Sequence, residues 1–155
     1  MPIPPFVVEL RKLVGTHELW LPAVTAVVVH EGRVLLTHRA DNGQWAPITG
    51  IVDPGEEPGV AARREALEET GVEISVDRLA SVSASPQITH ANGDLGVYLD
   101  LTFECSWISG EPYAADDENI DVRWWPLDDL PPMSEFLLPR IEAATSGEIA
   151  PRFAV

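Results

Sequence analysis

The chain has 155 residues, enough for one compact domain with its own core and too few for two ordinary ones. It carries 25 acidic and 10 basic side chains, and the net charge of −15 disfavours long nucleic acids and anionic membranes as partners. Cys105 is the single cysteine, which excludes an intramolecular disulfide and a multi-cysteine zinc site. Because no secretory signal pattern or apolar stretch of ~20 residues is present, we expect one cytoplasmic domain over residues 1–155.

The first forty residues predict a helix followed by a strand hairpin. Apolar residues recur at helical spacing over 6–14, which indicates a helical extension within residues 1–20. Two runs rich in β-branched residues, 24–30 and 33–38, lie on either side of Glu31-Gly32. This arrangement is typical of two strands joined by a tight turn.

The remainder of the chain predicts four strands and two helices. The strands are expected at residues 48–52, 73–89, 95–108 and 121–125. One helix is expected to begin at Pro58 and to end near Thr70, with Gly71 as its stop signal. A second helix is expected over 134–145. These elements predict a mixed domain in which mostly sequential hairpins pack against helices.

Three carboxylates share one face of the helix that begins at Pro58. At about 100° per residue, Glu65, Glu68 and Glu69 fall within an arc of roughly 100°. Val60 and Leu67 lie on the opposite side of the helix, and we expect them to anchor it in the core.

The clustered charge of these glutamates has two interpretations. Like charges at such spacings repel, and a hard divalent cation with oxygen ligands, such as Mg²⁺, would supply the counter-charge. Alternatively, the glutamates form a solvated acidic face whose helical ion-pair partners are Arg63 and Arg64. The spacing of residues over a longer stretch of the sequence favours the first interpretation, in which the glutamates bind a cation.

That spacing extends over Gly50 to Val72. Gly50 is followed after five residues by Glu56 and after seven more by the segment 64–72, which reads Arg-Glu-Ala-Leu-Glu-Glu-Thr-Gly-Val. A chance match to all seven fixed positions of this pattern is below about one in a million at ordinary residue frequencies. The segment resembles a complete Nudix box, and the chain is therefore similar to the MutT-like Nudix hydrolase family.

The resemblance implies an α/β (α+β) fold, the Nudix α/β/α sandwich, in which a mixed β-sheet lies between helices. The box at residues 50–72 forms a loop, a helix and a second loop in this fold. Family members often form homodimers, and the apolar N-terminal helix is compatible with a homodimer here.

The resemblance also assigns roles to the helix carboxylates. Glu68 and Glu69 match the principal metal ligands, and Glu65 matches a further ligand or the general base. Glu65 and Glu68 are accordingly the candidate catalytic residues. The expected cofactor is Mg²⁺, with Mn²⁺ as a possible substitute.

Four other box residues match scaffold positions. Glu56 and Arg64 match positions that mainly brace the box by ion pairing, and Gly50 and Gly71 match positions chosen for backbone conformation. The family usually has a second glycine just before the box, whose carbonyl can join the metal shell, and this chain has Thr49 there. Any residue offers a carbonyl, so ligation survives while the local backbone geometry differs.

Two residues outside the box are further candidates. Glu118, within an acidic stretch, lies where family members often supply an extra carboxylate ligand, and the alternative is a solvated acidic loop. Arg39, at the end of the second strand, matches a position that meets substrate phosphate in related proteins, and the alternative is an ordinary surface arginine.

The expected function is metal-dependent cleavage of a diphosphate linkage. The substrate is expected to be a small nucleotide-like molecule, either a nucleoside diphosphate linked to another moiety or a nucleoside triphosphate. The alternative function is a non-catalytic Nudix domain that senses a nucleotide and regulates a partner. A complete glutamate set favours the enzyme, because a pure binding module does not require all three carboxylates.

Overall fold

The computed structural model describes residues 3–155. It contains three helices: α1 at Pro5–Val14, α2 at Pro58–Thr70 and α3 at Leu138–Thr145. The strands are β1 Leu19–His30, β2 Arg33–Arg39, β3 Trp45–Ala46, β4 Ile48–Ile51, β5 Glu73–Ala84, β6 Ile88–Thr89, β7 Leu95–Ser109 and β8 Asn119–Pro126. None of the helices in this described part of the chain has the length and apolarity needed to span a membrane.

The strands form one mixed sheet. Its central order is β3-β2-β1-β7-β5, while β4 pairs with β1, β6 with β7 and β8 with β2. β1 and β7 run parallel from Leu19↔Gly96 to Val29↔Ser106, and every other strand pair is antiparallel. The predicted hairpin is confirmed, with Glu31 and Gly32 both at positive φ in its turn. The prediction of mostly sequential hairpins missed the parallel pair.

Side chains alternate along β1 between two cores. Val24, Ala26 and Val28 pack with the alanines of α2, whereas Val27 packs with Ile141 of α3. Because successive strand residues point to opposite faces, α2 and α3 cover opposite sides of the sheet. The expected α/β/α sandwich is confirmed.

The packing face of α2 differs from the expected one. Val60 and Leu67 remain 56% and 51% exposed, so the prediction that they anchor the helix was wrong. The face against the sheet carries small residues and two carboxylates: Ala61, Ala62, Glu65, Ala66, Glu69 and Thr70. The alanines allow the helix backbone to approach the strands closely, and this approach carries Glu65 and Glu69 into the interior.

Two of the element boundaries that differ from prediction do so because of proline. The expected strand over 73–89 is divided into β5 and β6 at Pro86, which has no N–H for the strand ladder. The C-terminal helix begins at Leu138 rather than 134, because Pro139 is accommodated only in the first turn of a helix.

The α3 side of the sheet contains a buried ion pair. Arg140 Nη1 donates to Asp100 Oδ1 at 3.2 Å and to Thr25 Oγ1 at 2.9 Å. The hydroxyls of Thr25 and Thr102 donate to the two oxygens of Asp100 at 2.7 and 2.6 Å. Both carboxylate oxygens of Asp100 are therefore hydrogen-bonded, and the pair connects α3 to β1 and β7.

Candidate active site

Gly50 provides space for the side chain of Glu65. A Cβ at position 50 would lie 2.1 Å from Cδ of Glu65, a separation that no real contact reaches. Gly50 does not have a positive φ, so the expected requirement for an unusual backbone conformation does not apply. A glycine is needed here because a larger side chain would collide with Glu65. Thr49 pairs with Thr25 of β1, and β4 thereby holds Gly50 against α2.

Arg64 and Glu56 join the loop before α2 to the helix. Arg64 donates from Nε and Nη2 to the two oxygens of Glu56, at 2.8 and 2.9 Å. Glu56 Oε2 also accepts the backbone N–H of Asp53 at 3.1 Å, and Arg64 Nη2 donates to the carbonyl of Ile51 at 3.2 Å. The bond to Arg64 lowers the pKa of Glu56 below its ordinary value. These contacts connect β4, the loop and α2.

The same guanidinium contacts two of the helix carboxylates. Arg64 Nη1 lies 2.8 Å from Glu65 Oε1 and 3.3 Å from Glu68 Oε2. The side chain of Glu68 is 43% exposed, whereas that of Glu65 is fully buried. The three glutamates therefore divide into one on the surface and two in the interior.

Glu65 and Glu69 are buried with incomplete hydrogen bonding. Glu65 Oε2 and Glu69 Oε1 have no hydrogen-bond partner among the described residues. Burial raises the pKa of Glu65 to about 7, although Arg64 acts in the opposite direction. Burial, followed by the charges of Glu65 and Glu118, raises the pKa of Glu69 well above its ordinary value. Such carboxylates are costly unless a cation or a proton accompanies them.

A segment after β7, residues 110–119, lies across the end of α2, and we call it the strap. The backbone N–H groups of Tyr113 and Ala115 donate to the carbonyls of Thr70 and Glu69, at 3.1 and 3.0 Å. Gly71 is left-handed at φ 70°, and a Cβ there would lie 2.3 Å from the ring of Tyr113. Gly71 thus serves both the helix end and the contact with the strap.

The strap brings Glu118 to the interior glutamates. The negative charge of Glu118 acts on both Glu65 and Glu69 in the direction that raises the pKa of each carboxyl group. The backbone carbonyl of Glu118 accepts the N–H of Ala40 at 2.8 Å and holds this end of the strap to the end of β2.

Arg39 lies at the same place. Its Nε and Nη2 each donate to a different oxygen of Asp41 at 3.0 Å, so the guanidinium is held in a two-pronged pair. The charge of Arg39 acts on Glu69 in the direction that lowers its pKa. A cavity of about 360 Å³ is lined here by Arg39, Ala40, Asp41, Asp117 and Glu118.

The types of donor atom at this site fit a divalent cation, but the side chains do not form a ready-made coordination shell. Two buried carboxylate oxygens of α2, Oε2 of Glu65 and Oε1 of Glu69, have no hydrogen-bond partner among the described residues. These are the ligands that hard cations take. As the side chains are oriented in residues 3–155, no group of three or more His, Cys, Asp or Glu stands ready to hold a metal ion. Arg64 instead holds Glu65 and Glu68.

Sequence reasoning missed several residues at this site. Asn119, Asp41 and Tyr113 contact Glu69, Arg39 and Gly71 respectively. Only Asp41 had a signal in the sequence, since it lies two residues after Arg39 in a turn.

Two tryptophans lie on the face of the sheet opposite to the carboxylates. Trp45 and Trp125 pack against the core on the α3 side, in an edge-to-face pair.

The fold and the site define a protein with a carboxylate-bearing helix packed on a mixed sheet and a loop of acidic residues at its end. The sequence profile of the NUDIX domain matches residues 20–147. The chain belongs to the NUDIX family.

Similar proteins extend this assignment. A MutT-like protein of Streptomyces ambofaciens is 35% identical over 109 residues, which are 70% of this chain and 65% of that protein. The NAD-capped RNA hydrolase NudC of Pseudomonas syringae pv. syringae is 30% identical over 114 residues, 72% of this chain and 38% of NudC. The chain thus spans less than two thirds of the length of either relative.

Solved structures agree in fold. The MutT NUDIX hydrolase from Burkholderia pseudomallei superposes with a TM-score of 0.64 at 30% identity, covering 82% of this chain and 99% of that one. A UDP-X diphosphatase has a TM-score of 0.68 at 23% identity, covering 92% and 70%. The second likeness concerns the fold alone.

Proposed function

We propose that this protein is a divalent-metal-dependent pyrophosphohydrolase that cleaves a diphosphate linkage in a small nucleotide. The observation that carries the proposal is the pair of buried carboxylates, Glu65 and Glu69, each with an oxygen that lacks a partner. Burying such carboxylates costs desolvation free energy, so a protein retains them where they serve a function. A cluster of carboxyl groups with shifted pKa values beside a cavity is typical of active sites.

The proposed ligands are Glu65, Glu68, Glu69 and Glu118, and the proposed ion is Mg²⁺ or Mn²⁺. The bound ion supplies charge that neutralises substrate phosphate and acidifies a water molecule. Arg64 supports the site by holding Glu65 and Glu68 while it braces Glu56.

The chain's own residues perform the remaining tasks. Arg39, beside the cavity, binds phosphate oxygens through its charged N–H groups, and Asp41 orients it. We propose Glu65, whose Oε2 has no partner among the described residues, as the acceptor of the proton of the attacking water, with Glu68 as the second candidate for that role. Phosphoryl chemistry needs little more than such positioning and charge compensation.

The substrate is proposed to be short. The net charge of −15 opposes an extended polyanion, and the cavity offers Arg39 as its cation. We therefore favour a nucleoside diphosphate linked to another moiety, or a nucleoside triphosphate. The similarity to NAD-capped RNA hydrolases makes a capped RNA the most informative competitor.

A substrate panel tests this function. Phosphate or nucleotide release is measured for ADP-ribose, dinucleotides, nucleotide sugars, nucleoside triphosphates and a short capped RNA, each with Mg²⁺, with Mn²⁺ and with excess EDTA. We expect turnover of at least one small compound, abolished by EDTA. Undiminished rates in EDTA would contradict metal dependence, and faster turnover of the capped RNA than of every small compound would contradict the charge argument.

The panel also separates the enzyme from a nucleotide sensor. Measurable binding of a nucleotide without turnover of any compound would favour the regulatory alternative.

We further propose that the chain acts as one domain and that it forms a homodimer through α1. Four apolar side chains of α1 stay exposed: Val8, Leu10, Leu13 and Val14. Light scattering of the purified protein gives the mass directly, and a monomer at all concentrations would contradict the homodimer.

A further inference from the structure

Asn119 contacts one of the interior glutamates. It is the first residue of β8, only 4% exposed, and its Nδ2 donates to Oε2 of Glu69 at 3.2 Å. The amide nitrogen is the donor, an arrangement that suits the ionised carboxylate of a metal ligand, which only accepts hydrogen bonds. The bond occupies Oε2 and leaves Oε1 as the oxygen of Glu69 without a partner.

An irregularity in strand pairing places Asn119 there. In the pairing of β2 with β8, His38 lies opposite Asp121, but Arg39 lies opposite Asn119. Ile120 is therefore an extra residue on β8. A bulge of this kind changes the direction in which the following side chains point.

The bulge reverses the face on which Asn119 lies. Val122 belongs to the core on the α2 side, so regular alternation would put Ile120 on that side and Asn119 on the other. Instead Ile120 is 63% exposed and Asn119 is buried against Glu69. The extra residue is thus what brings the amide to the carboxylate.

Glu69 is held at two points by the same segment. Its backbone carbonyl accepts the N–H of Ala115, and its carboxylate accepts the amide of Asn119. Backbone and side chain are fixed together, so the direction of Oε1 is set by the strap and β8 and not by α2 alone.

We propose that Asn119 is a positioning residue for Glu69: by holding Oε2 it presents Oε1 to the divalent cation. The inference rests on the proposed function. A hydrogen bond from an outer residue fixes the orientation of a metal ligand, and its loss commonly costs about 10- to 100-fold in metal affinity or activity.

The test compares Asn119→Ala and Asn119→Leu with the wild-type protein and with Asn92→Ala as a matched control. Asn92 is an exposed asparagine whose side chain bonds only within its own turn, to Asp94. Isothermal titration calorimetry gives the dissociation constant for Mn²⁺, calorimetry without metal gives the melting temperature, and the rate is recorded against Mn²⁺ concentration.

We expect Mn²⁺ to bind about tenfold more weakly to both Asn119 variants, and the half-activating Mn²⁺ concentration to rise by about the same factor. Excess Mn²⁺ should restore most of the rate, and the control should match the wild type. Dissociation constants within twofold of wild type in both variants would overturn the inference while leaving the proposed function intact.

The remaining outcomes are also decisive. A wild-type protein that binds no Mn²⁺ would overturn the proposed function and this inference with it. The leucine variant keeps the number and branching of the side-chain heavy atoms while it removes the amide. If both variants fail to fold, Asn119 is a structural residue and the inference is wrong.

Discussion

Buried acidic side chains lie on both faces of the same sheet, and the two faces differ in the partners that compensate their charges. On the α3 side, both oxygens of Asp100 accept hydrogen bonds, and Arg140 provides the opposite charge. On the α2 side, Glu65 and Glu69 each retain a buried oxygen without a partner. Burial raises the pKa of all three carboxyl groups.

The difference indicates that the buried carboxyl groups have different roles on the two faces of the sheet. A buried ion pair whose carboxylate is fully hydrogen-bonded contributes to structure, since removing one member leaves the charge of the other buried alone. Carboxylates that each keep one buried oxygen without a partner among the described residues impose a cost on the folded protein, and this cost is typical of groups that bind a ligand. Four variants sharpen or break this contrast.

The largest expected effect is on catalysis, from Glu69→Gln. Removing the charge should lower kcat by about 1,000-fold, or ~4 kcal/mol of transition-state stabilisation. The melting temperature should not fall, because an amide is cheaper to bury than a carboxylate. Steady-state kinetics and calorimetry measure both. A near-normal rate would show that the α2 carboxylates are not the catalytic set.

The next effect is on stability, from Asp100→Ala on the other face. It leaves Arg140 buried without its charge partner, and we expect a loss of about 3 kcal/mol in the free energy of unfolding. The variant that also carries Arg140→Met should recover much of this loss. Denaturant unfolding provides the values. The folded Asp100→Ala protein should keep the kcat of the wild type. A 1,000-fold loss of kcat would show that the two faces do not differ in function.

Gly50→Ala tests the space that Glu65 needs. The added Cβ would collide with the Glu65 carboxyl group and displace it, so we expect activity to fall about tenfold or more. Gly55→Ala is the nearby control, since a Cβ there meets nothing within 4 Å, although its positive φ adds strain. Equal kcat/KM for Gly50→Ala and wild type would exclude the steric role.

The smallest effect is expected from Glu56→Gln, on stability more than on kcat. Arg64 lowers the pKa of Glu56 below its ordinary value of 4.5, so the ionised form stabilises the fold. That contribution is present above the unfolded pKa and is lost as pH falls through the folded one. We expect a difference of about 1 kcal/mol at pH 7 that shrinks below about pH 4.5. Thermal unfolding across pH measures it; a large rate loss without a stability change would contradict a bracing role.

The sequence predicted most elements, and the box spacing tied Gly50, Glu56 and α2 together as one candidate site. It did not predict which face of α2 packs inward. Hydrophobicity favoured Val60 and Leu67, whereas the closer approach allowed by the alanines buries the opposite face together with Glu65 and Glu69.

Long-range features had no local signal. The parallel pairing of β1 with β7 joins residues that lie 77 positions apart in the chain, as in Leu19↔Gly96, and no short pattern specifies it. The bulge at Ile120 depends on the partner strand, so Asn119 was not recognised as a neighbour of Glu69. Individual side-chain contacts of this kind require the folded chain.

The attachment of the strap to α2 also sets which substitutions the strap tolerates. Two of its bonds to the helix come from the backbone N–H groups of Tyr113 and Ala115, so most side chains at 115 preserve the second of them. Proline is the exception, because it has no N–H to donate. Pro112 lies immediately beside one of these donors without removing it. The strap can therefore diverge in its exposed residues, including Asp117, and still deliver Glu118 to the same place.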